Sequence, residues 1–245
     1  IIVAADSRLL VLNASSGAIL ATVPLAGPSG ALAVDEGTGE IYAALPERGE
    51  VVAISTGGEL RARAKELGRP TRLEMGGSRV YVSDSLQQRV VVLSKSCDII
   101  GQRTLPAAPY ALALDMSGGR LYVGQMGSGK ILALNTETLA TESTLALGGL
   151  GYPLDLALDS SGEILYVAHA LSPKYGALSV IKAEDMSLLG TLWGNSKLAL
   201  TNADSVRWDP RHNVVLLGVA EGIMALDGRS LQLIYAQPLR RVGWP

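Results

Sequence analysis

Apolar residues in this chain fall in short runs separated by polar turns, and no run carries the three-and-four spacing of an amphipathic helix. Five segments superimpose: ALAVDEGTGEIYAA (31–44), RLEMGGSRVYVS (72–83), ALALDMSGGRLYVG (111–124), DLALDSSGEILYVA (155–168) and VRWDPRHNVVLLG (206–218). Each reads as a strand, an acidic residue, a polar turn and a second strand. The acidic residue stands seven positions before a tyrosine or its replacement, in the pairs Asp35/Tyr42, Glu74/Tyr81, Asp115/Tyr122, Asp159/Tyr166 and Asp209/Leu216. Successive acidic positions differ by 39, 41, 44 and 50 residues, so the chain is an array of repeats.

A third strand follows each pair (LLVLN, VVAIS, VVVLS, ILALN, LSVIK, IMALD), and then a fourth (ILATVPL, LRARAKEL, ATESTLAL, LQLIYAQPL). Four short strands per unit, with turn residues between them, predict an all-β fold, a β-propeller of four-stranded antiparallel blades. The expected blades span 28–68, 69–108, 109–151, 152–195 and 196–239, within one domain covering 1–245. Residues 1–27 supply only the last three strands of a blade, and 240–245 begin a further inner strand. Six blades closed by mixing strands from the two ends is the expected arrangement, since closure removes free sheet edges.

The stretch VLNASSGAILATVPLAGPSGALAVDEGTGEIYAA resembles the YVTN repeat of β-propellers, with NHL and quinoprotein-type repeats as neighbours. The resemblance runs through essentially the whole chain and implies the fold, not an activity, because such propellers host enzymes, redox partners and binding scaffolds alike. It also implies that the loops between second and third strands share a face with the blade-to-blade connections, and that ligands meet this top face. The asparagine that closes the family's Tyr-Val-Thr-Asn is replaced here by Leu45, Asp84, Gln125, His169 and Val219.

Composition narrows the function classes. Net charge is −2 with scattered charges, so no field draws the protein to nucleic acid or an anionic membrane. The start IIVAA is too short and lacks the basic lead-in of a signal peptide, and no run approaches the about 18 apolar residues of a spanning helix. The single cysteine, Cys97, rules out an internal disulfide, and the two histidines, His169 and His212, rule out a three-histidine zinc site within the chain. No metal and no cofactor is expected.

Several motifs have structural readings. GQMGSGK (124–130) has the glycine–lysine spacing of a phosphate loop, but Ile131 stands where Ser or Thr is needed and a strand follows where a helix should start. It is expected to be a hairpin. The repeated Asp35, Glu74, Asp115, Asp159 and Asp209 are expected to accept backbone N–H bonds in their own turns, and the tyrosines to fill space between blades. In RARAKELGRPTR (61–72), Arg61, Arg63 and Lys65 alternate with alanines and mark a charged outer edge. Cys97 sits in a turn with no flanking base, and Asn13-Ala14-Ser15 matches a glycosylation acceptor that matters only in a secreted eukaryotic protein.

The candidate ligand site lies where a repeated scaffold varies. On the inner strands Arg72, Asp155 and Arg207 replace the small residues found at Ala31, Ala111 and Ala157. With Asp84, Gln125 and His169 they compose either structural ion pairs beside a hydrated channel or a polar pocket for a small anion, a sugar or a peptide. No catalytic set is complete. The reading is a non-catalytic binding or interaction module, extracellular, periplasmic or at a cell surface, or part of a larger chain, with a protein or small polar ligand as partner. The alternatives are a lactonase-type hydrolase drawing on Asp84, Asp155 and Asp204, and a structural repeat of a surface or filament assembly. Alanine at Asp84, Asp155 or His169 is expected to leave folding intact.

Overall fold

The computed structural model describes residues 1–149, 152–172, 175–194, 200, 203–220 and 222–238. The backbone clusters into two units, Ile1–Tyr110 and Ala111–Pro245. Among the described residues the regular elements are all strands apart from one 3-10 turn at Pro46–Arg48.

The first unit begins with a three-stranded sheet of β1 (Ile2–Ala5), β2 (Arg8–Leu12) and β3 (Ile19–Pro24). A four-stranded sheet follows, β4 (Ala31–Val34), β5 (Ile41–Leu45), β6 (Glu50–Ile54) and β7 (Leu60–Ala64). The third comprises β8 (Pro70–Gly76), β9 (Arg79–Asp84), β10 (Arg89–Ser94) and β11 (Ile99–Thr104). The unit boundary falls inside β12 (Pro109–Asp115), which forms the next sheet with β13 (Arg120–Gln125), β14 (Lys130–Asn135) and β15 (Thr141–Ala146). The second unit continues with β16 (Tyr152–Leu158), β17 (Ile164–Ser172), β18 (Tyr175–Lys182) and β19 (Ser187–Trp193). It ends with β20 (Ser205–Asp209), β21 (Val214–Val219), β22 (Gly222–Asp227) and β23 (Leu233–Pro238). These are antiparallel meanders in sequence order, the blades of a β-propeller, and the first supplies the three strands expected of it. Residues 240–245, expected to begin another inner strand, lie outside the described residues.

The middle strands are buried on both faces, which explains their unbroken apolar runs: every residue of IYAAL in β5 and EVVAI in β6 is buried. Outer strands are half exposed. Within the first unit one apolar layer joins Leu9 and Val23 to Ile41 and Val52, and another joins Tyr42 and Val51 to Leu73 and Val91. In the second unit Tyr122 and Ile131 pack with Leu156 and Val167, and Tyr166 and Leu178 with Val206 and Leu217.

The repeated tyrosines do more than fill these layers. Tyr42 donates its hydroxyl to the Lys95 carbonyl (3.0 Å), Tyr122 to Ala183 (3.2 Å) and Tyr166 to Gly228 (2.9 Å). In each case a second strand is fastened to the turn before the outer strand of the following sheet. Four of the five acidic turns behave as expected. Asp35 accepts from Gly37 N–H at 3.0 Å, Asp115 from Gly118 at 2.8 Å, Asp159 from Glu163 at 2.9 Å and Asp209 from Arg211 at 2.9 Å. Asp35 also pairs with Lys95 at 2.5 Å, and this ammonium holds its carboxyl below the usual range.

Every third-to-fourth strand pair carries one register shift at the same place. Val11 faces Ala21 and Leu12 faces Ile19, so Leu20 is left over, and the same count leaves Arg61, Ile100, Glu142, Leu189 and Ile234 over in the other five sheets. These are β-bulges, which bend an edge and redirect one side chain. Arg61 and Glu142 are charged, whereas Leu20, Ile100, Leu189 and Ile234 are exposed aliphatics.

Candidate functional site

In the first unit Arg72 and Asp84 lie on the paired strands β8 and β9. A bulge at Thr71 sets the register, with Pro70 opposite Asp84 and Arg72 opposite Ser83. Asp84 is fully buried. Its carboxylate accepts from Gly68 N–H (3.0 Å) and Arg69 N–H (2.8 Å) and pairs with Arg89 Nε at 2.9 Å. A Cβ added to Gly68 would lie 2.8 Å from Asp84 Oδ1, so a glycine there leaves the carboxylate room. Arg89 continues the network to the Glu66 carbonyl at 3.1 Å. Asp84 therefore organises the connection entering β8, and its charge is matched inside the protein.

The Arg72 guanidinium lies 5.1 Å over the Tyr110 ring and donates to the Thr71 carbonyl at 3.2 Å. Its backbone N–H donates to Ser83 Oγ at 2.9 Å. Ser83, absent from the sequence-derived candidates, is the hub here: fully buried, it also lies 2.9 Å from Thr71 Oγ1 and donates to the Tyr110 carbonyl at 3.2 Å. The proline opening β8, with a hydroxyl residue after it, was the available signal, because proline inside a sheet is confined to edges and bulges.

In the second unit the inner strands bring Asp155 and Arg207 together. Asp155 is 2% exposed, accepts from Val206 N–H at 3.0 Å and pairs with Arg207 Nη1 at 2.5 Å. The same Nη1 donates to the Val206 carbonyl at 2.6 Å. The Arg207 side chain nonetheless remains 66% exposed. One edge of the guanidinium is clamped by a buried carboxylate and a carbonyl, and the rest of the fork faces outward. This is how an arginine is prepared to receive a carboxylate, phosphate or sulfate, since its planar donors suit bidentate acceptors and clamping lowers the cost of ordering them.

Gln125 closes β13, buried and opposite Lys130, and the segment between them is a hairpin with Gly127 (φ 82°) and Gly129 (φ 60°) in left-handed conformations. Lys130 opens β14, so no helix N-terminus is available to hold a phosphate. His169 is fully buried opposite Pro153 on β16 and Ala177 on β18. Neither ring nitrogen has a hydrogen-bond partner among the described residues, and burial alone pushes its pKa down to about 4. By alternation it faces the same layer as Val167 and Leu165, whereas Asp155 faces β20, so the two are on opposite sides of their sheet.

Cys97 is buried, and burial pushes its thiol up to about 11, consistent with an inert core position. Among the described residues no group of three His, Cys, Asp or Glu side chains could hold a metal ion, and no helix is long and apolar enough to cross a membrane.

No protein-family model matches the chain, and no curated protein sequence matches it significantly. Its fold is similar to many solved structures. One is the hydrazine synthase of Kuenenia stuttgartiensis, at 12% identity and a TM-score of 0.81, with 95% of this chain and 80% of that one covered. Identity that low shows the shared β-propeller fold and nothing about chemistry.

Proposed function

We propose that the chain is a non-catalytic binding module, a single propeller domain of the YVTN/NHL type presented outside the cytoplasm or as part of a larger protein. It recognises an anionic group, on a small ligand or a protein, through Arg207. The observation that supports this reading is the Asp155–Arg207 pair: a buried carboxylate fixes a guanidinium that stays two-thirds open to solvent. An ion pair buried for stability alone gives up the hydration of both partners, whereas here only the carboxylate is buried and the guanidinium keeps donors facing solvent. A recognition arginine needs both features.

Titration calorimetry with citrate, glucuronate and inorganic phosphate tests the reading. At least one probe is expected to bind, with affinity lowered about tenfold in Arg207→Gln, the loss of one charge-assisted contact. Asp155→Asn is expected to weaken the same probe by freeing the guanidinium. Equal binding by wild type and Arg207→Gln, or no binding of any probe, counts against it. Hydrolysis of a lactone panel that Asp155→Asn abolishes would instead favour the hydrolase.

A further inference from the structure

We propose, on the reading of Arg207 as an anion receptor, that the outward face of the sheet β20–β23 binds a monocarboxylate carried on an apolar body. The carboxylate sits on Arg207 and the body lies across Leu216, Ile223 and Tyr235. Register places these residues together. Residues directly opposite in antiparallel strands share a face, and Arg207 is opposite Leu216, Leu216 opposite Ala225 and Ala225 opposite Tyr235. The adjoining row on the same face reads Ser205, Gly218, Ile223 and Gln237. The alternate residues Val206, Val215, Leu217, Met224 and Leu226 belong to the core layer shared with the preceding sheet, so the two rows point the other way. On that side Leu216 is 38%, Ile223 47% and Tyr235 56% exposed, an apolar lane four strands wide, roughly 14 Å, with Arg207 at its inner end.

The repeat shows how this face differs from those that take another sheet. Leu216 stands where Tyr42, Tyr122 and Tyr166 are buried and donate to a turn carbonyl of the following sheet. Leucine has no hydroxyl for that joint. Arg207 stands where Ala33, Ala113 and Ala157 are small, two residues before the acidic turn. Arg72 shares the position and donates in the same way to the carbonyl before it, but there the Tyr110 ring caps the guanidinium. Among the described residues no ring covers Arg207. A sheet-packing face has thus exchanged its tyrosine and its alanine for an open apolar lane and a clamped cation.

Charge selects the occupant. Asp155 and the Val206 carbonyl hold one nitrogen of the guanidinium, and the remaining donors suit the two oxygens of a carboxylate. Asp204 and Asp209 flank Arg207 along β20, so a multiply charged anion, or one extending along the strand, is repelled. Across the strands Leu216, Ala225 and Tyr235 carry no charge, which gives an apolar body its direction. The residues after β23 bring Arg240 and Arg241, cations that do not complement Arg207.

Titration calorimetry of the whole chain with butyrate, hexanoate, octanoate and decanoate, each below its micelle concentration and beside glucuronate, tests this. Affinity is expected to rise about twofold per methylene, the gain of a chain half-buried on an open face. Octanol, apolar but without the anion, is expected to bind at least about tenfold more weakly than octanoate. Leu216→Asn and Ile223→Asn, both at exposed positions, are each expected to flatten the dependence on chain length. Glucuronate bound through Arg207 with no chain-length dependence among the alkanoates overturns this proposal and leaves the anion reading standing. No binding of glucuronate or of any alkanoate overturns both. Octanol bound as tightly as octanoate overturns the proposal, as does a chain-length dependence that Leu216→Asn and Ile223→Asn both leave intact.

Discussion

The Tyr166 hydroxyl donates to the Gly228 carbonyl across 2.9 Å, so a side chain in the middle of one sheet is held by a turn of the next. The same phenol stacks on Trp208, with centroids 5.8 Å apart and planes 13° apart. Burial raises its pKa to about 12, keeping the donor proton in place through the physiological range. Tyr166→Phe is expected to cost about 1 kcal/mol by orphaning the carbonyl, and Tyr166→Ala about 3–5 kcal/mol by emptying the layer. Urea unfolding of the two variants separates the hydrogen bond from the packing.

Asp84 carries a heavier structural role than its place at a variable repeat position implied. Its carboxylate serves two backbone amides and Arg89 while fully buried, so the expectation that alanine there leaves folding intact does not survive the geometry. Asp84→Ala is expected to cost about 3–5 kcal/mol, because Arg89 loses its buried partner and two amides lose their acceptor. A fall in the urea midpoint at unchanged slope would bear this out.

His169 should make the protein acid-sensitive. Its ordinary pKa of 6.5 is lowered to about 4 in the folded chain, so between these values the unfolded chain binds the proton and the folded one does not. Stability from this site is complete above about pH 6.5 and is lost as pH falls toward 4, by up to about 3 kcal/mol. His169→Leu is expected to flatten that part of the stability profile. Thermal melts of both proteins at pH 7, 5.5 and 4.5 check the difference.

Arg207 is expected to separate binding from folding. Its guanidinium lies mostly in water but its partner Asp155 is buried, so the separating variant is Arg207→Lys, which keeps a cation beside the carboxylate and loses the planar fork: it should lower the melting temperature by no more than a few degrees while removing most of the anion affinity. A large loss of stability would mark the pair as structural.

The fold was legible because its signals recur: an acidic turn, a tyrosine seven residues on in four of the five full units, and apolar strands at matching places. The site was legible only in part. Asp84, Gln125 and His169 occupy one repeat position, yet Asp84 binds amides and an arginine while the His169 ring nitrogens find no hydrogen-bond partner among the described residues. What separates them is set by partners distant in sequence and by the bulges at Thr71 and Leu154, where a one-residue slip decides which face a side chain takes. Arg207 was visible as a charge replacing a small residue. That Asp155 would be the residue to hold it depended on β16 and β20 lying side by side, 52 positions apart in the chain.

The bulge shared by all six outer strands gives the molecule a set of addressable surface positions. Leu20, Arg61, Ile100, Glu142, Leu189 and Ile234 each stand outside the cross-strand register; Glu142 is tied to Arg120 and Asn135 and Arg61 to Glu59, whereas the four aliphatic positions can be exchanged without breaking an ion pair. A repeat of about 40 residues can thus diversify one contact at a time while its interior stays fixed. For an engineer the four aliphatic ones are attachment points at which affinity or valency is programmable without redesigning the core.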